Sequence, residues 1–172
     1  MDILITGASG GLAQEMVKLL PDDQLILLGR NKEKLGQLYG NHLHAELIEI
    51  DINDDSVLED LVADLYLRYG KIDVLINNAG YGIFEDFDKI SNQDIHQMFE
   101  VNTFALMNLS RLIARHMKKS RKGHIINIVS MAGLIATGKS SLYSATKFAA
   151  IGFSNALRLE LMPYGIYVTT VN

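Results

Sequence analysis

Short apolar runs alternate along this chain with longer stretches whose apolar residues recur every three or four positions, and the alternation continues from end to end. The runs at 2–6, 24–29, 45–50, 72–76, 124–130 and 166–171 have the length and near-continuous apolar character of strands buried on both faces. Between them lie helical patterns. Leu12, Met16, Leu19 and Leu20 repeat at helical spacing until Pro21. Leu58, Leu61, Val62, Leu65 and Tyr69 form a stripe that stops at Gly70, and Leu142 to Met162 reads as a helix closed by Pro163 and Gly165. Ser91 with Asp94 has the spacing of a capping box and opens a long helix over about 92–118. Its apolar residues, from Ile95 and Met98 through Phe104, Leu109 and Ile113 to Met117, cover more than one face, which predicts burial by the sheet on one side and by a second subunit on the other. Strands alternating with helices at this spacing predict an α/β fold: a doubly wound parallel sheet with right-handed crossovers and strand order 3-2-1-4-5-6, in one domain over residues 1–172.

The chemistry sits where strands end. The first strand leads into Gly7-Ala8-Ser9-Gly10-Gly11-Leu12-Ala13 and then a helix, an arrangement that sets a pyrophosphate on a helix N-terminus, or one that is only a tight connection. The second ends in Gly29-Arg30-Asn31-Lys32. An acidic residue there would hold a ribose 2′-hydroxyl, whereas a guanidinium pairs with a 2′-phosphate. Arg30 and Lys32 therefore favour NADP over NAD, unless both are simply solvated where a helix begins. After the third strand come Asp51 and Ile52; Asp51 suits the adenine amino group, or belongs with Asn53, Asp54 and Asp55 as cap residues. The fourth opens onto Asn77-Asn78-Ala79-Gly80, small and amide-bearing residues that suit a backbone lying close to a ligand or merely a turn. Ser130 ends the fifth strand.

Tyr143 and Lys147 stand one turn apart on the last helix, where a phenol and an ammonium group can act on one ligand. An ammonium beside a phenol stabilises the phenolate and makes Tyr143 a usable proton donor or acceptor. Taken alone, such a pair is equally the mark of a solvated helix face. Asn102 is the odd residue in the long helix, being a poor helix former; it is either a tolerated polar position or a point that loosens the helix and turns a backbone carbonyl toward the site.

Composition narrows the class. Hydrophobic residues make up 48% and charged residues 21%, as in soluble globular domains, and a net charge of -4 gives no reason to expect nucleic acid or an anionic membrane as partner. No apolar run approaches a membrane span and the first residues lack the basic flank of a signal peptide, so the expected location is cytoplasmic. The absence of cysteine excludes disulfides, thiolate metal sites and cysteine nucleophiles, and the five histidines lack metal-ligand spacing.

In this order the motifs resemble the short-chain dehydrogenase/reductase family, its short-subunit branch, over essentially the whole chain. Thr6-Gly7-Ala8-Ser9-Gly10-Gly11-Leu12-Ala13 is similar to the family's Thr-Gly-x-x-x-Gly-x-Gly loop, with Ala13 in place of the last glycine, and Asn77 to Gly80 to its Asn-Asn-Ala-Gly motif. Asn102, Ser130, Tyr143 and Lys147 fall on its catalytic tetrad. The resemblance implies a nucleotide site built from Gly7, Ser9, Gly10, Gly11, Leu12, Arg30, Asp51, Ile52, Asn78, Ala79 and Gly80 together with Tyr143 and Lys147. It implies hydride transfer between NADP(H) and a carbonyl or secondary alcohol, with Asn102 holding a water that links Lys147 to solvent, and a homodimer or homotetramer. The rival expectations are a non-catalytic NADP-binding sensor or assembly module, and a dehydratase or isomerase on the same scaffold. Family members usually continue through a Pro-Gly segment, a substrate lid and a seventh strand. This sequence stops at Val171-Asn172, where that segment should begin, so the expectation is a fragment of a longer protein that lacks the lid and seventh strand, with the substrate legible only as a partly apolar wall of Met131, Leu134, Ile135 and Thr137.

Overall fold

The structure, a computed structural model, describes all residues from Met1 to Asn172. The strands are β1 Asp2–Ile5, β2 Gln24–Gly29, β3 Ala45–Glu49, β4 Val74–Asn77, β5 Gly123–Ile128 and β6 Ile166–Val171. All neighbours pair in parallel, and the order is β3-β2-β1-β4-β5-β6, as the alternation predicts. The helices are α1 Gly11–Lys18, α2 Lys32–Tyr39, α3 Asp55–Tyr69, α4 Asn92–Phe99, α5 Ala105–Ser120 and α6 Ser141–Leu161.

Two apolar cores bury the two faces of the sheet. Leu4, Ile26, Leu28, Leu75, Ile125 and Val168 face α3, α5 and α6; Ile3, Ile5, Leu25, Leu27 and Ile76 face α1 and α2. Successive strand residues point to opposite faces, so a strand covered on both sides must be apolar at every position. No helix is long and apolar enough to cross a membrane.

Local signals fix the helix ends. Asn31 caps α2 by accepting from the Lys34 N–H at 2.8 Å, and Asp54 caps α3 by accepting from Ser56 and Val57. Ser91 and Asp94 form the reciprocal capping box of α4. Gly70 ends α3 at φ +74°, where a side chain would be strained.

Three expectations need correction. The long helix runs unbroken over 92–120 but is not uniformly α: Glu100–Phe104 is a turn of π-helix between α4 and α5, with Asn102 at its centre. Of the apolar residues expected to form the α1 stripe, Met16 and Leu20 pack partly buried on the core beside Ala13 and Val17, while Leu12 and Leu19 are exposed, because Leu12 lies at the mouth of the glycine turn and Leu19 is already the C-cap. Ser130 lies two residues beyond β5, capping a short 3₁₀ turn at Met131–Gly133.

Candidate active site

The carboxyl ends of β1 and β4 are stitched together by side chains of the chain itself. Thr6 Oγ1 accepts from the N–H groups of Asn78 and Ala79, both at 3.0 Å, and Asn78 Nδ2 donates to the carbonyls of Thr6 and Gly7, both at 3.1 Å. Gly7 adopts φ +63°, and a Cβ there would come within 2.7 Å of the Ala79 Cα. Only glycine allows this turn to lie against Asn78-Ala79 and leave the α1 N-terminus open. Beneath them, Asn77 Nδ2 donates to Ser110 Oγ and Asn127 Oδ1, and Asn127 Nδ2 donates to Ser154 Oγ. This buried chain of hydrogen bonds ties β4, β5, α5 and α6 together.

Above the turn opens a cavity of about 520 Å³. Gly7, Ser9, Gly10, Gly11, Leu12, Arg30, Asp51, Ile52, Asn78, Ala79 and Gly80, all expected at a nucleotide site, line it. Asn31, Lys34, Asn53, Tyr81 and Val101 line it too and had escaped the sequence analysis. Lys32, expected beside Arg30, does not; Asn31 as N-cap starts α2 so that Lys34, one turn on from Arg30, faces the cavity instead. Arg30 makes no ion pair within the chain. Asp51 Oδ1 accepts from the Asn53 N–H at 3.0 Å, while the cap of α3 is Asp54, so Asp51 is not the helix cap.

A second cavity, of about 540 Å³, shares Leu12, Asn78, Gly80 and Tyr81 with the first and is lined in addition by Ser130, Tyr143 and Lys147. The Ser130 hydroxyl accepts from the Ala132 N–H at 3.1 Å, which leaves its own proton free to donate. No protein group bonds the Tyr143 phenol, whose ring packs at 5.4 Å and a 58° tilt against Phe84. Lys147 is 5% exposed. Its Nζ donates to the Ile128 carbonyl at 3.4 Å, lies 5.7 Å from the centre of the Tyr143 ring, and keeps donors to spare. Burial pushes its pKa down from 10.5 to about 8, so the ammonium form prevails at neutral pH with little margin.

Asn102 lines neither cavity. Its side chain is buried and binds the Tyr81 backbone at both ends, accepting from the N–H at 3.0 Å and donating to the carbonyl at 2.8 Å, and it also donates to Thr146 Oγ1. Thr146 Oγ1 in turn donates to the Tyr143 carbonyl at 2.8 Å. Asn102 thus meets α6 through Thr146, and a Cβ on Gly80 would lie 3.1 Å from Asn102 Oδ1 and 3.3 Å from Lys147 Nζ. A bare glycine is the spacer between the two side chains. Gly133 does the same for Ser130: a Cβ there would fall 2.8 Å from the Lys147 carbonyl oxygen, so only glycine lets the turn after Ser130 rest on α6.

A family model described as short chain dehydrogenase matches residues 2–172. Among curated relatives, a 3-ketodihydrosphingosine reductase from Bacteroides thetaiotaomicron is 32% identical, over 98% of this chain and 61% of the relative. A metagenomic short-chain oxidoreductase solved in complex with NADP superposes with a TM-score of 0.93 at 26% identity, over 99% of this chain and 79% of that one. An NAD⁺-bound xylitol dehydrogenase superposes at 0.90 with 27% identity, over 98% and 67%. The chain spans 61%, 62% and 61% of the lengths of three of the curated relatives it matches. Sheet order, glycine turn and family match agree from Asp2 onward: the chain belongs to the short-chain dehydrogenase/reductase family.

Proposed function

We infer that the protein binds NADP(H) and reduces a ketone or oxidises the corresponding secondary alcohol. The observation that carries this reading is that Ser130, Tyr143 and Lys147 line one cavity whose walls continue into the glycine-turn cavity. A dinucleotide has two ends, and the cleft has two matching halves.

The residues fit the cofactor. The positive-φ turn at Gly7 leaves the α1 N-terminus open to a pyrophosphate, and the backbone N–H groups and helix dipole there favour an anion. Asp51 and Ile52 border the half suited to adenine. Arg30, unpaired within the chain, and Lys34 supply positive charge for a 2′-phosphate, which is why we favour NADP over NAD. Solved relatives hold either dinucleotide, so the preference rests on these two side chains. When bound, the nicotinamide supplies or accepts the hydride.

The chain's own residues handle the proton. In reduction, Tyr143 donates its phenolic proton to the carbonyl oxygen while the Ser130 hydroxyl hydrogen-bonds the same atom, so developing negative charge meets donors already aimed at it. Lys147 steadies the resulting phenolate and offers its remaining donors to the nicotinamide ribose. Asn102 anchors the Gly80-Tyr81 segment at the edge of the site, and its π-turn carbonyl is the proposed holder of a water leading from Lys147 to solvent. A relative named for reducing a 3-keto compound supports a keto substrate. The groove between α5 and α6, walled by Phe104, Met107, Phe153 and Leu157, suits the homo-oligomeric contact expected from the sequence.

Tyr143→Phe is expected to abolish ketone-dependent NADPH oxidation while NADPH still binds, as followed by nicotinamide fluorescence. Equal turnover by wild type and mutant would sink the mechanism. A non-catalytic sensor, the rival reading, predicts binding by both and turnover by neither.

A further inference from the structure

A recess of about 280 Å³ opens at the edge of the sheet opposite the glycine turn, where α3 and α5 end and the chain enters β4 and β5. Lys71, Lys119 and Lys122 line it and are exposed, so they stand at its mouth. Tyr66 and His116 form a wall, their rings stacked at 3.7 Å and 10°. The Tyr66 hydroxyl is enclosed, at the inner end, and no group of the chain bonds it.

Counting partners shows which groups are unspent. Lys71 Nζ binds an Asp73 carboxylate oxygen at 2.6 Å and lies 3.7 Å from Asp2, and the same Asp73 oxygen accepts from the Asp2 N–H at 3.0 Å. These two acids are therefore already answered by Lys71 and the backbone. The Ser120 hydroxyl is occupied too, by the carbonyls of Met117 and Lys122. Lys119 and Lys122 have no such partner, and the sequence has no acidic residue between Glu100 and Glu160 to supply one nearby in the chain. Burial and the Asp73 carboxylate push the Tyr66 phenol up, so it keeps its proton to donate. Burial and the Lys119 ammonium hold the His116 imidazole below its ordinary range, so that ring adds no charge at neutral pH.

Cations in the last turn of a helix also offset its dipole, which accounts for Lys118 and Lys119 on α5. Lys122 lies beyond the helix, however, and a dipole gives no reason for an enclosed phenol without a partner, a group that is costly to bury.

We propose that this recess binds the phosphate group of a small phosphate ester, with Lys119 and Lys122 pairing the dianion at the mouth and the Tyr66 hydroxyl donating to an oxygen at the inner end. Two ammonium groups match the charge of a phosphate monoester at neutral pH, whereas a carboxylate would leave one of them unanswered. The volume is about half that of the glycine-turn cavity, which favours a compact ester over a dinucleotide. The site lies apart from Ser130, Tyr143 and Lys147 and does not depend on the hydride-transfer reading.

The test is a titration of isotope-labelled protein with phenyl phosphate, inorganic phosphate and acetate, followed by amide chemical shifts in NMR. Phenyl phosphate is expected to give saturable shifts at Gly70–Asp73 and Lys119–Gly123 and to bind more tightly than inorganic phosphate, because its ring adds contact with the wall. Acetate is expected to give none. The double variant Lys119→Ser, Lys122→Ser, at two exposed positions, is expected to weaken phenyl phosphate by about tenfold or more. Tyr66→Phe keeps the stack on His116 and is expected to weaken it by about tenfold without lowering the thermal midpoint, since the hydroxyl it removes has no partner to lose. Phosphate taken up by the glycine turn reports on Gly7–Leu12 instead, and shifts confined there overturn the proposal. So do unchanged affinity in either variant and saturation by acetate at the same residues. Inorganic phosphate bound as tightly as phenyl phosphate overturns the ester and gives the recess to the free ion.

Discussion

Replacing Lys147 by methionine is expected to strengthen the fold at neutral pH while removing function. The side chain is 5% exposed, its one protein partner is the Ile128 carbonyl, and burial lowers its pKa from 10.5 to about 8. At about 1.4 kcal/mol per tenfold change in proton affinity, that drop corresponds to about 3 kcal/mol held against the folded state. The sign follows from counting protons. Between pH 8 and 10.5 the unfolded chain keeps this proton while the folded chain releases it, so wild-type stability rises with pH through that window, and below pH 8 the full cost is present. Methionine has similar length and no charge. It forgoes the bond to Ile128, worth about 1 kcal/mol, leaving a net gain of about 2 kcal/mol at pH 7 that disappears by about pH 10. Urea unfolding of both proteins at pH 7, 8.5 and 10 measures this, because titrations common to the two cancel in the difference. A difference that stays constant over this range, or a methionine variant less stable at pH 7, would refute the reasoning.

Arg30→Ala is expected to weaken NADPH binding by tenfold or more and NADH binding little, measured by nicotinamide fluorescence, because it removes the charge-assisted contact proposed for the 2′-phosphate; equal losses for both cofactors would count against that contact. Asn127→Ala removes the bonds to Asn77 and Ser154 from the interior and is expected to cost about 2 kcal/mol in urea unfolding, and a change below about 0.5 kcal/mol would show that the network adds little to stability.

What the sequence made legible follows from where the information resides. A parallel sheet covered on both faces could be anticipated because β1, β2 and β4 are apolar at nearly every position, which only such a sheet requires. The stripe of α3 was readable because leucine and valine carry it. That of α1 was readable only in part: Met16 and Leu20 pack on the core as expected, but Ala13 does part of the burying and a short side chain is nearly silent in an apolar pattern, while Leu12 is bulky but belongs to the cavity mouth. Asn102 hinted at disturbed helix geometry, yet the π-turn itself was invisible, since what fixes it is the amide's grip on Tyr81, 21 residues earlier. Lys34 escaped notice for a related reason: which of two nearby lysines faces the cavity depends on the helix phase, and Asn31 sets that phase only once its cap is formed.

These tertiary contacts share a feature that bears on reactivity. Thr103 Oγ1 donates to the Thr146 carbonyl, Asn102 donates to Thr146 Oγ1, and Gly133 lets the Ser130 turn lie on the Lys147 carbonyl. The π-turn, the 3₁₀ turn and α6 are thereby registered on one another by backbone atoms, small side chains and an amide. None of these contacts uses the Tyr143 phenol, the Ser130 hydroxyl proton or the Lys147 ammonium. A site in which rigidity came from the reacting atoms themselves would have to break those bonds before meeting a ligand, and the loss would appear in the barrier. Here neighbours hold the geometry, so the groups proposed to react keep donors free for a ligand, the arrangement that preorganised electrostatic catalysis requires.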